Sequence, residues 1–430
     1  MVGLLFLAFL IIIEIAFTFI RLFKRSELIK ERFMLKIFNF SIFLILVMSP
    51  IINWGFQWYM LGLILFIQAL NGVLNIFRKK NLLFFKKRKI ILSCINNIFI
   101  ILIAFIPTLI FPQYKPINAS GQNEISTVSY TLTDESRQEY FSEEDDKRKV
   151  TIQYWYPTGN GNYPLIIFSH GAFGYRMSNY SLYEELASNG YVVCSIDHTY
   201  HAFVTIQDDG KKVIANMDFI NDAIKTTNGE IVGEELFAMQ KDWMKLRTED
   251  MSFVLNYIKN MASSSSEEVY KNIDLNHIGV LGHSMGGATA AQIGRINDDV
   301  DAVIVLDGTM FGEIIDYKNG KNVITNAPYP KPIMNVYNES HYYDEALVDK
   351  EYPNSVMEKN TTISYRVVVK NSGHMNFTDL PIVSPLLSGI LGNGTVDARY
   401  CIETTNHNVL QFFNFYLKSI GEEIPRERIQ

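Results

Sequence analysis

The chain has 430 residues, 48% of them hydrophobic, and a formal net charge of -6 at pH 7. Residues 1–112 hold 13 Lys and Arg against three Asp and Glu, whereas the remaining residues hold 26 against 42. The length allows a large domain and a second region, and the acidic balance of the longer part argues against a nucleic-acid partner.

The first region contains four apolar stretches, at about Val2–Ile20, Ile37–Asn53, Trp58–Phe77 and Ile90–Phe111. Each is near the roughly 20 residues that a helix needs to cross a bilayer, and the second is the shortest. All 13 basic residues lie in two loops, Arg21–Lys36 and Arg78–Lys89. The positive-inside rule therefore predicts a multi-pass cell-membrane protein with both loops in the cytoplasm. The N-terminus and everything beyond Pro112 would lie on the extracellular side.

The first apolar stretch is interpreted as a retained span. It has neither a basic amino-terminal region nor a small-x-small cleavage site, so it does not resemble a signal peptide. Glu14 lies within it, and a carboxyl group at that depth is costly unless it is neutral or paired. We expect Glu14 to face the other helices. Anchoring is favoured for this region over an ion or proton role.

Residues 113–148 are predicted to form a linker and an edge strand between a membrane domain, 1–112, and a catalytic domain, 149–430. Pro112–Asn123 has the Pro and Gly content of a linker. Thr127–Thr133 and Lys149–Tyr156 have strand-like patterns, and we expect them to pair antiparallel at one edge of a sheet.

Apolar strands then alternate with helices. The predicted strands are Pro164–Ser169, Tyr191–Ile196, Ile278–Leu281, Asp301–Leu306, Pro332–Val336 and Ile363–Val369, and the helices are Tyr180–Ser188, Leu236–Met261 and Asn408–Lys418. This alternation predicts an α/β fold with a mostly parallel sheet covered on both faces. A site in such a sheet lies at the carboxyl ends of the strands. Tyr200–Glu235 interrupts the alternation and is a candidate lid.

The sequence G-H-S-M-G-G, residues 282–287, follows a short apolar strand and precedes small helix-forming residues. This context is typical of a nucleophile elbow, in which a serine occupies a sharp turn between strand and helix. A side chain two residues before or after the serine would clash, which explains Gly282 and Gly286. Ser284 is therefore the candidate nucleophile.

A serine hydroxyl needs a base, and with an elbow the expected chain order is serine, acid, histidine. Three histidines follow Ser284: His341, His374 and His407. His374 comes after the strand Ile363–Val369, where a late loop could deliver it, and it is the favoured base. His341 is the weaker alternative, and His407 is interpreted as a surface residue.

Asp307 ends the apolar strand Ala302–Leu306, which places its carboxylate at the carboxyl edge of the sheet, and we favour it as the acid. A capping or turn role is the alternative, because Gly308 follows it. The oxyanion is expected to bind the backbone N–H of Met285 and a second donor from the loop after an earlier strand. Ala172 in Ser169–Gly174 is that candidate donor. His170 in the same loop is interpreted as structural.

The runs P-L-I-I-F-S-H-G-A-F-G-Y-R, G-H-S-M-G-G-A-T, V-L-D-G-T-M-F and G-H-M-N-F-T-D-L resemble the platelet-activating-factor acetylhydrolase family. The resemblance covers about Lys149–Lys418 and implies an α/β-hydrolase fold. It also implies Ser284 as nucleophile, Asp307 as acid, His374 as base, and Ala172 with Met285 as oxyanion donors. The family hydrolyses short or oxidised acyl esters of phospholipids without a metal. The chain departs from the pattern in its four predicted spans and in Ala172, where a larger apolar residue is more typical.

These observations predict a serine carboxylic ester hydrolase tethered to the outer face of a membrane, without a cofactor. Its partners would be a small ester or lipid substrate and membrane lipid, with no obligatory protein partner. The alternatives are a dienelactone-hydrolase-like, polyesterase or peptidase activity on the same triad, or a catalytically silent membrane-tethered binding module. The cysteines, Cys94, Cys194 and Cys401, show no disulfide framework or metal-ligand spacing.

Overall fold

The computed structural model describes residues 2–76, 85–142, 146–346, 348–349 and 351–430. These residues form two compact units. The first comprises Met1–Lys115 with Ile382–Leu387, and the second comprises Pro116–Pro381 with Ser388–Gln430.

Four helices make up most of the first unit: α1 (Val2–Phe23), α2 (Ile29–Met48), α3 (Phe56–Ile76) and α4 (Lys87–Ile110). Among the described residues, three of them, α1, α3 and α4, are long and apolar enough to cross a membrane. The sequence predicted four such spans, and α2 accounts for the difference.

Helix α2 begins eight residues before the predicted apolar stretch, at Ile29, and ends at Met48 rather than Asn53. Its first two turns carry Lys30, Glu31, Arg32 and Lys36. Hydropathy marks where apolar side chains are dense, whereas the helix is set by backbone hydrogen bonds that continue through charged residues. Of the predicted basic positions, Arg78–Lys80 lie outside the described residues.

Glu14 faces the interior of the first unit, as the sequence predicted. It is buried, and its Oε1 accepts a hydrogen bond of 2.8 Å from Asn97 Nδ2 on α4. Polar groups inside an apolar bundle are costly unless they find such partners. The bond therefore explains how this side chain is accommodated.

A mixed sheet forms the core of the second unit. Nine strands are hydrogen-bonded in the order β1-β2-β4-β3-β7-β8-β11-β12-β13 among the described residues. They are β1 (Ile125–Gln138), β2 (Lys147–Pro157), β3 (Tyr163–Ser169), β4 (Val192–Asp197), β7 (Ile273–His283), β8 (Ala302–Leu306), β11 (Ile333–Asn338), β12 (Ser364–Val369) and β13 (Glu427–Ile429). The strands from β4 to β13 run parallel, and β2 is antiparallel to both of its neighbours. The predicted parallel sheet with an antiparallel edge is thus confirmed.

The remaining elements lie between these strands. Two short antiparallel pairs are β5 (Val204–Ile206) with β6 (Lys212–Ile214), and β9 (Ile314–Lys318) with β10 (Lys321–Ile324). The helices are α5 (Tyr180–Ser188), α6 (Met217–Thr227), α7 (Gly233–Ser264), α8 (Glu268–Lys271), α9 (Met285–Ile296), α10 (Pro353–Lys359), α11 (Leu380–Val383), α12 (Pro385–Leu391) and α13 (Ala398–Lys418). The candidate lid, residues 200–235, contains β5, β6, α6 and the first residues of α7.

Helices cover both faces of the sheet, because successive residues of its buried strands point in opposite directions. Leu165 and Ile167 of β3 pack with residues of α7 and α9 in one apolar cluster. Ile166 and Phe168 pack with residues of α5 and α13 in the other. This sandwich fixes the central strands, so that β7, β8 and β12 end at the same edge of the sheet.

Candidate active site

Ser284 occupies the turn between β7 and α9 with φ 55° and ψ -125°, a region that non-glycine residues rarely adopt. Its N–H donates to the Leu306 carbonyl at 2.8 Å, and its own carbonyl accepts from the first turns of α9. These bonds hold the strained turn in place. Strain of this kind is concentrated at functional sites.

The flanking glycines permit the turn. A Cβ on Gly282 would lie 2.2 Å from the backbone of Gly286, and a Cβ on Gly286 would lie 2.0 Å from the carbonyl oxygen of Ser169. No side chain can be accommodated at such distances. The steric reason inferred for both glycines is therefore present, and the second contact brings the end of β3 against the serine turn.

Asp307 lies directly after β8 and meets His374, which follows β12. Asp307 Oδ2 is 2.6 Å from His374 Nδ1. The aspartate has φ 52° and is almost fully buried, whereas the side chain of His374 is 39% exposed. The carboxylate thus fixes the orientation of the His374 ring through Nδ1, and the ring remains accessible to a reacting group.

Asn338, at the end of β11, holds the same carboxylate from the side. Its N–H donates to Asp307 Oδ1 at 2.8 Å, and its Nδ2 donates to Oδ2 at 2.6 Å. Burial alone would raise the pKa of Asp307, but the hydrogen bonds from His341 and His374 outweigh it and hold that pKa well below its usual range. The carboxylate is therefore ionised at neutral pH.

His341, the weaker base candidate, also reaches Asp307. Its Nδ1 lies 2.8 Å from Asp307 Oδ1, but its Nε2 lies 2.5 Å from the hydroxyl of Tyr352. With both nitrogens engaged and the side chain only 9% exposed, His341 is poorly placed to accept a proton from a serine. The geometry therefore favours His374 as the base. His407 lies within α13 and is exposed, as interpreted from the sequence.

His283, next to Ser284 in the chain, links the serine turn to His374. Its ring packs 4.6 Å from the ring of His374, and its Nε2 donates to the carbonyl oxygen of His374 at 3.0 Å. Burial, followed by the charge of His374, lowers the pKa of His283 to about 3, so it is neutral. Sequence reasoning missed this contact, although the position beside the candidate nucleophile was a signal.

The loop after β3 lies against the serine turn. A Cβ on Gly171 would lie 3.2 Å from Ser284 Cβ, so the backbone at this residue passes close to Ser284. Met285 is the first residue of α9, where a backbone N–H has no partner within the helix. The two predicted oxyanion donors, Ala172 and Met285, therefore lie in segments that meet at Ser284.

Arg247 of α7 fixes the orientation of this loop from inside the protein. It is fully buried, and its Nη1 donates to the His170 carbonyl at 2.5 Å. Its Nη2 lies 3.4 Å from the Gly171 carbonyl. In a trans peptide the N–H points opposite to the carbonyl, so the N–H of Ala172 points away from Arg247. Sequence reasoning did not find Arg247, because a single arginine in an amphipathic helix is usually exposed.

A second serine–histidine–aspartate series lies behind the loop. His198 Nε2 is 2.8 Å from Ser169 Oγ, and His198 Nδ1 is 2.9 Å from Asp250 Oδ2. All three side chains are inaccessible to solvent, and Asp250 also pairs with Arg137 and Arg148. A substrate cannot reach this series. It tethers the end of β3 to α7.

His170 has the structural role that the sequence suggested. Its Nδ1 lies 2.6 Å from the Gly171 carbonyl, and its Nε2 accepts from the His198 N–H at 3.3 Å. Burial, and then the charge of Arg247, hold the pKa of His170 well below its ordinary value. The neutral ring therefore braces the loop.

Comparison with known proteins decides the family. The profile described as "Platelet-activating factor acetylhydrolase, isoform II" matches residues 147–420. The chain belongs to this family. The platelet-activating factor acetylhydrolase of Bos taurus is 25% identical over 280 residues, which are 59% of this chain and 57% of the relative. That of Cavia porcellus is 26% identical over 288 residues, 63% of this chain and 61% of the relative. The match therefore spans about three-fifths of these relatives.

A ferulic acid esterase from Streptomyces cinnamoneus has a similar structure. The TM-score is 0.55 at 23% identity, and the match covers 72% of this chain and 95% of the esterase. At this identity the likeness concerns the fold.

Proposed function

We propose that this protein is a serine hydrolase of α/β-hydrolase fold that cleaves carboxylic esters. Ser284 is the nucleophile, His374 the base and Asp307 the acid. The single observation that carries the proposal is the 2.6 Å contact between His374 and Asp307. It lies at the sheet edge where Ser284 occupies a strained turn, and an acid, a base and a nucleophile in this chain order are what acyl transfer requires.

The first half of the reaction forms an acyl-enzyme. His374 takes the proton of Ser284 as the serine oxygen bonds to the ester carbonyl carbon. The carbonyl oxygen becomes an oxyanion and accepts hydrogen bonds from the N–H groups of Ala172 and Met285. His374 then gives its proton to the leaving alcohol as the ester C–O bond breaks, and the acyl group stays on Ser284.

The second half repeats these roles with water. His374 removes a proton from water as the water oxygen attacks the acyl carbon, and it returns the proton to Ser284 as the acid product leaves. Asp307 holds His374 in one tautomer and stabilises the imidazolium in both halves. Neither half requires a metal ion or an organic cofactor.

The proposed substrates are short-acyl or oxidised phospholipid-type esters. The family's name and the names of the two mammalian relatives support this class. A dienelactone-hydrolase-like, polyesterase or peptidase activity would use the same residues, and a silent binding module would use none. These are outcomes of the test below.

We also propose that residues 1–112 anchor the enzyme through four helices that cross the membrane. The catalytic domain, 149–430, would then lie on the extracellular side, and residues 113–148 would link the two. The antiparallel packing of α2 on α3 supports the fourth crossing: a Cβ on Gly62 would lie 3.2 Å from Phe43, and one on Gly72 would lie 2.9 Å from the Phe33 carbonyl. A hairpin of this kind returns the chain across the bilayer and leaves both basic loops on one side.

The test uses the full-length protein in detergent with esters of increasing acyl length, an sn-2 acetyl phospholipid, a polyester and a peptide. We expect hydrolysis of the short-acyl esters and its loss in Ser284→Ala. Ser129→Ala, at an exposed position of β1, is the matched control and should keep wild-type rates. Full activity of Ser284→Ala would refute the mechanism. Preference for the polyester or peptide would refute the substrate class, and no turnover by the wild type would favour the silent module.

A further inference from the structure

Asp307 is shared by two histidines, one on each carboxylate oxygen. Oδ2 is 2.6 Å from His374 Nδ1, and Oδ1 is 2.8 Å from His341 Nδ1. An ionised carboxylate only accepts, so both Nδ1 atoms carry a proton. Both histidine rings therefore interact with the negative charge of the Asp307 carboxylate.

Beyond His341 the hydrogen bonds continue towards solvent. His341 Nε2 lies 2.5 Å from the Tyr352 hydroxyl, which lies 2.7 Å from Thr309 Oγ1. Tyr352 and Thr309 line a cavity of about 340 Å³. A hydroxyl can donate to a neutral ring or accept from a charged one by rotating. His341 can thus exchange a proton with solvent through Tyr352 without moving away from Asp307.

We propose that His341 is a positioning residue that orients Asp307 and sets the charge that Asp307 offers to His374, so that ester hydrolysis responds to the protonation of His341. This inference rests on the proposed function, because it assigns Asp307 to the catalytic triad. When His341 is neutral, its hydrogen bond fixes the carboxylate and leaves its full charge for His374. When His341 is protonated, a second cation faces the same carboxylate, and the imidazolium of His374 is less stabilised.

The groups around His341 determine the pH at which it becomes protonated. The titratable or charged groups that face it are Asp307, Tyr337, Glu345, Tyr352, Glu358 and, across the shared carboxylate, His374. Burial lowers the pKa of His341, but the hydrogen bond and charge of Asp307 outweigh it and raise that pKa above its ordinary value. Protonation of His341 therefore begins at a higher pH than for an ordinary histidine.

This arrangement predicts two coupled protonations in the acid limb of kcat/KM. As pH falls, His341 gains its proton and weakens the pairing of Asp307 with His374, and the rate falls. The acid limb is therefore broader than a single ionisation.

Two substitutions of His341 separate the effect of its hydrogen bond to Asp307 from the effect of its charge. His341→Asn keeps a donor near the position of Nδ1 but does not titrate, whereas His341→Leu removes both. We expect the acid limb of His341→Asn to fit one ionisation, and its plateau to lie about tenfold above that of His341→Leu. His277→Asn is the matched control, because His277 also bonds an aspartate through Nδ1, at 2.8 Å, but near the amino end of β7. Its profile should equal that of the wild type.

A second measurement does not require activity. In the full-length Ser284→Ala protein, the downfield proton NMR signals of histidine Nδ1–H groups are recorded as a function of pH. We expect one signal to disappear in Ser284→Ala/His341→Asn but to remain in Ser284→Ala/His277→Asn. Its retention in both variants, or identical acid limbs for the wild type and His341→Asn, would overturn the inference. If this signal is lost as expected but the protein with Ser284 intact hydrolyses no ester, the proposed function has failed and the His341–Asp307 pairing has not.

Discussion

Asp307 Oδ2 lies 2.6 Å from His374 Nδ1, although the two residues follow different strands and are 67 positions apart. The parallel sheet makes this possible, because β8 and β12 end at the same edge and β11 lies between them. Asn338 at the end of β11 bonds the carboxylate from within that gap. The orientation of His374 thus depends on three neighbouring strand ends.

Replacing the proposed acid, Asp307, should disable catalysis with little effect on the fold. In Asp307→Asn the side chain keeps its shape but loses the charge that stabilises the imidazolium and selects the tautomer. We expect kcat to fall by roughly 10³–10⁴-fold. Steady-state kinetics on a short-acyl ester measure this, with Asp299→Asn at an exposed ion pair with Lys259 as the control. A reduction of less than tenfold would argue against Asp307 as the acid.

The close approach behind the serine turn can be tested at Gly286. Its Cβ would lie 2.0 Å from the Ser169 carbonyl oxygen, so Gly286→Ala must displace the serine turn or the end of β3. We expect a destabilisation of about 1–3 kcal/mol and a large loss of activity. Gly389→Ala, where a Cβ meets nothing within 4 Å, is the matched control for thermal unfolding and kinetics. Equal behaviour of the two variants would contradict the described turn.

Arg247 is predicted to affect the rate through the loop after β3, which carries the proposed oxyanion donor Ala172. In Arg247→Met the carbonyls of His170 and Gly171 lose their donor, and the Ala172 N–H loses its fixed direction. We expect kcat to fall by roughly 10²-fold with little change in KM, since oxyanion contacts form in the transition state. Arg247→Lys should recover part of the rate.

The control for Arg247 is Arg295→Met. Arg295 pairs with Glu313 and packs on Tyr329, so its loss affects stability without touching the loop. If Arg247→Met and Arg295→Met lower the thermal midpoint equally and leave kcat alone, Arg247 has no role in positioning the oxyanion donor.

Asp250 should make the stability of the protein depend on pH. Burial raises its pKa, but the charge of Arg148 and the bond from His198 outweigh burial and hold the pKa well below its usual range. The unfolded chain therefore binds more protons near pH 4 than the folded one. The stabilisation is fully present above about pH 4, the ordinary aspartate pKa, and is lost as pH falls further.

The measurement is the thermal unfolding midpoint of the full chain from about pH 3 to about pH 7, a range that spans the ordinary aspartate pKa. Asp250→Asn should lower the midpoint at neutral pH, by an amount that corresponds to about 3–5 kcal/mol, and should flatten its dependence on pH. An unchanged slope in the variant would assign the acid sensitivity to other groups.

The sequence predicted the sheet and the chain positions of the candidate triad because these depend on local patterns. An apolar strand ending in Asp307, and a strand followed by the turn that carries His374, are visible in the order of residues. His341 was considered only as an alternative to His374; that both histidines bond Asp307 at once could not be predicted, because His341 reaches it through the path of the loop after β11. Arg247 was missed for a similar reason, since its partners are carbonyl groups of a loop 77 and 76 residues away.

The N-terminal helices show a different limit of prediction from sequence. Hydropathy located α1, α3 and α4 well, because their apolar stretches and their helices nearly coincide. It misplaced the start of α2, whose first two turns are charged. The bond between Glu14 and Asn97 joins α1 to α4, and only the inward orientation of Glu14 was foreseeable from the cost of exposing a carboxyl group to lipid.

The central claim is tested most directly by labelling intact cells with a membrane-impermeant serine-reactive phosphonate and locating the adduct by mass spectrometry. The proposed nucleophile and topology predict a single modified residue, Ser284. The Asp307→Asn and His374→Ala variants should be labelled more slowly than the wild type. Labelling only after lysis would contradict the extracellular placement of the domain. Absence of an adduct on Ser284 before and after lysis would contradict the catalytic role of this serine.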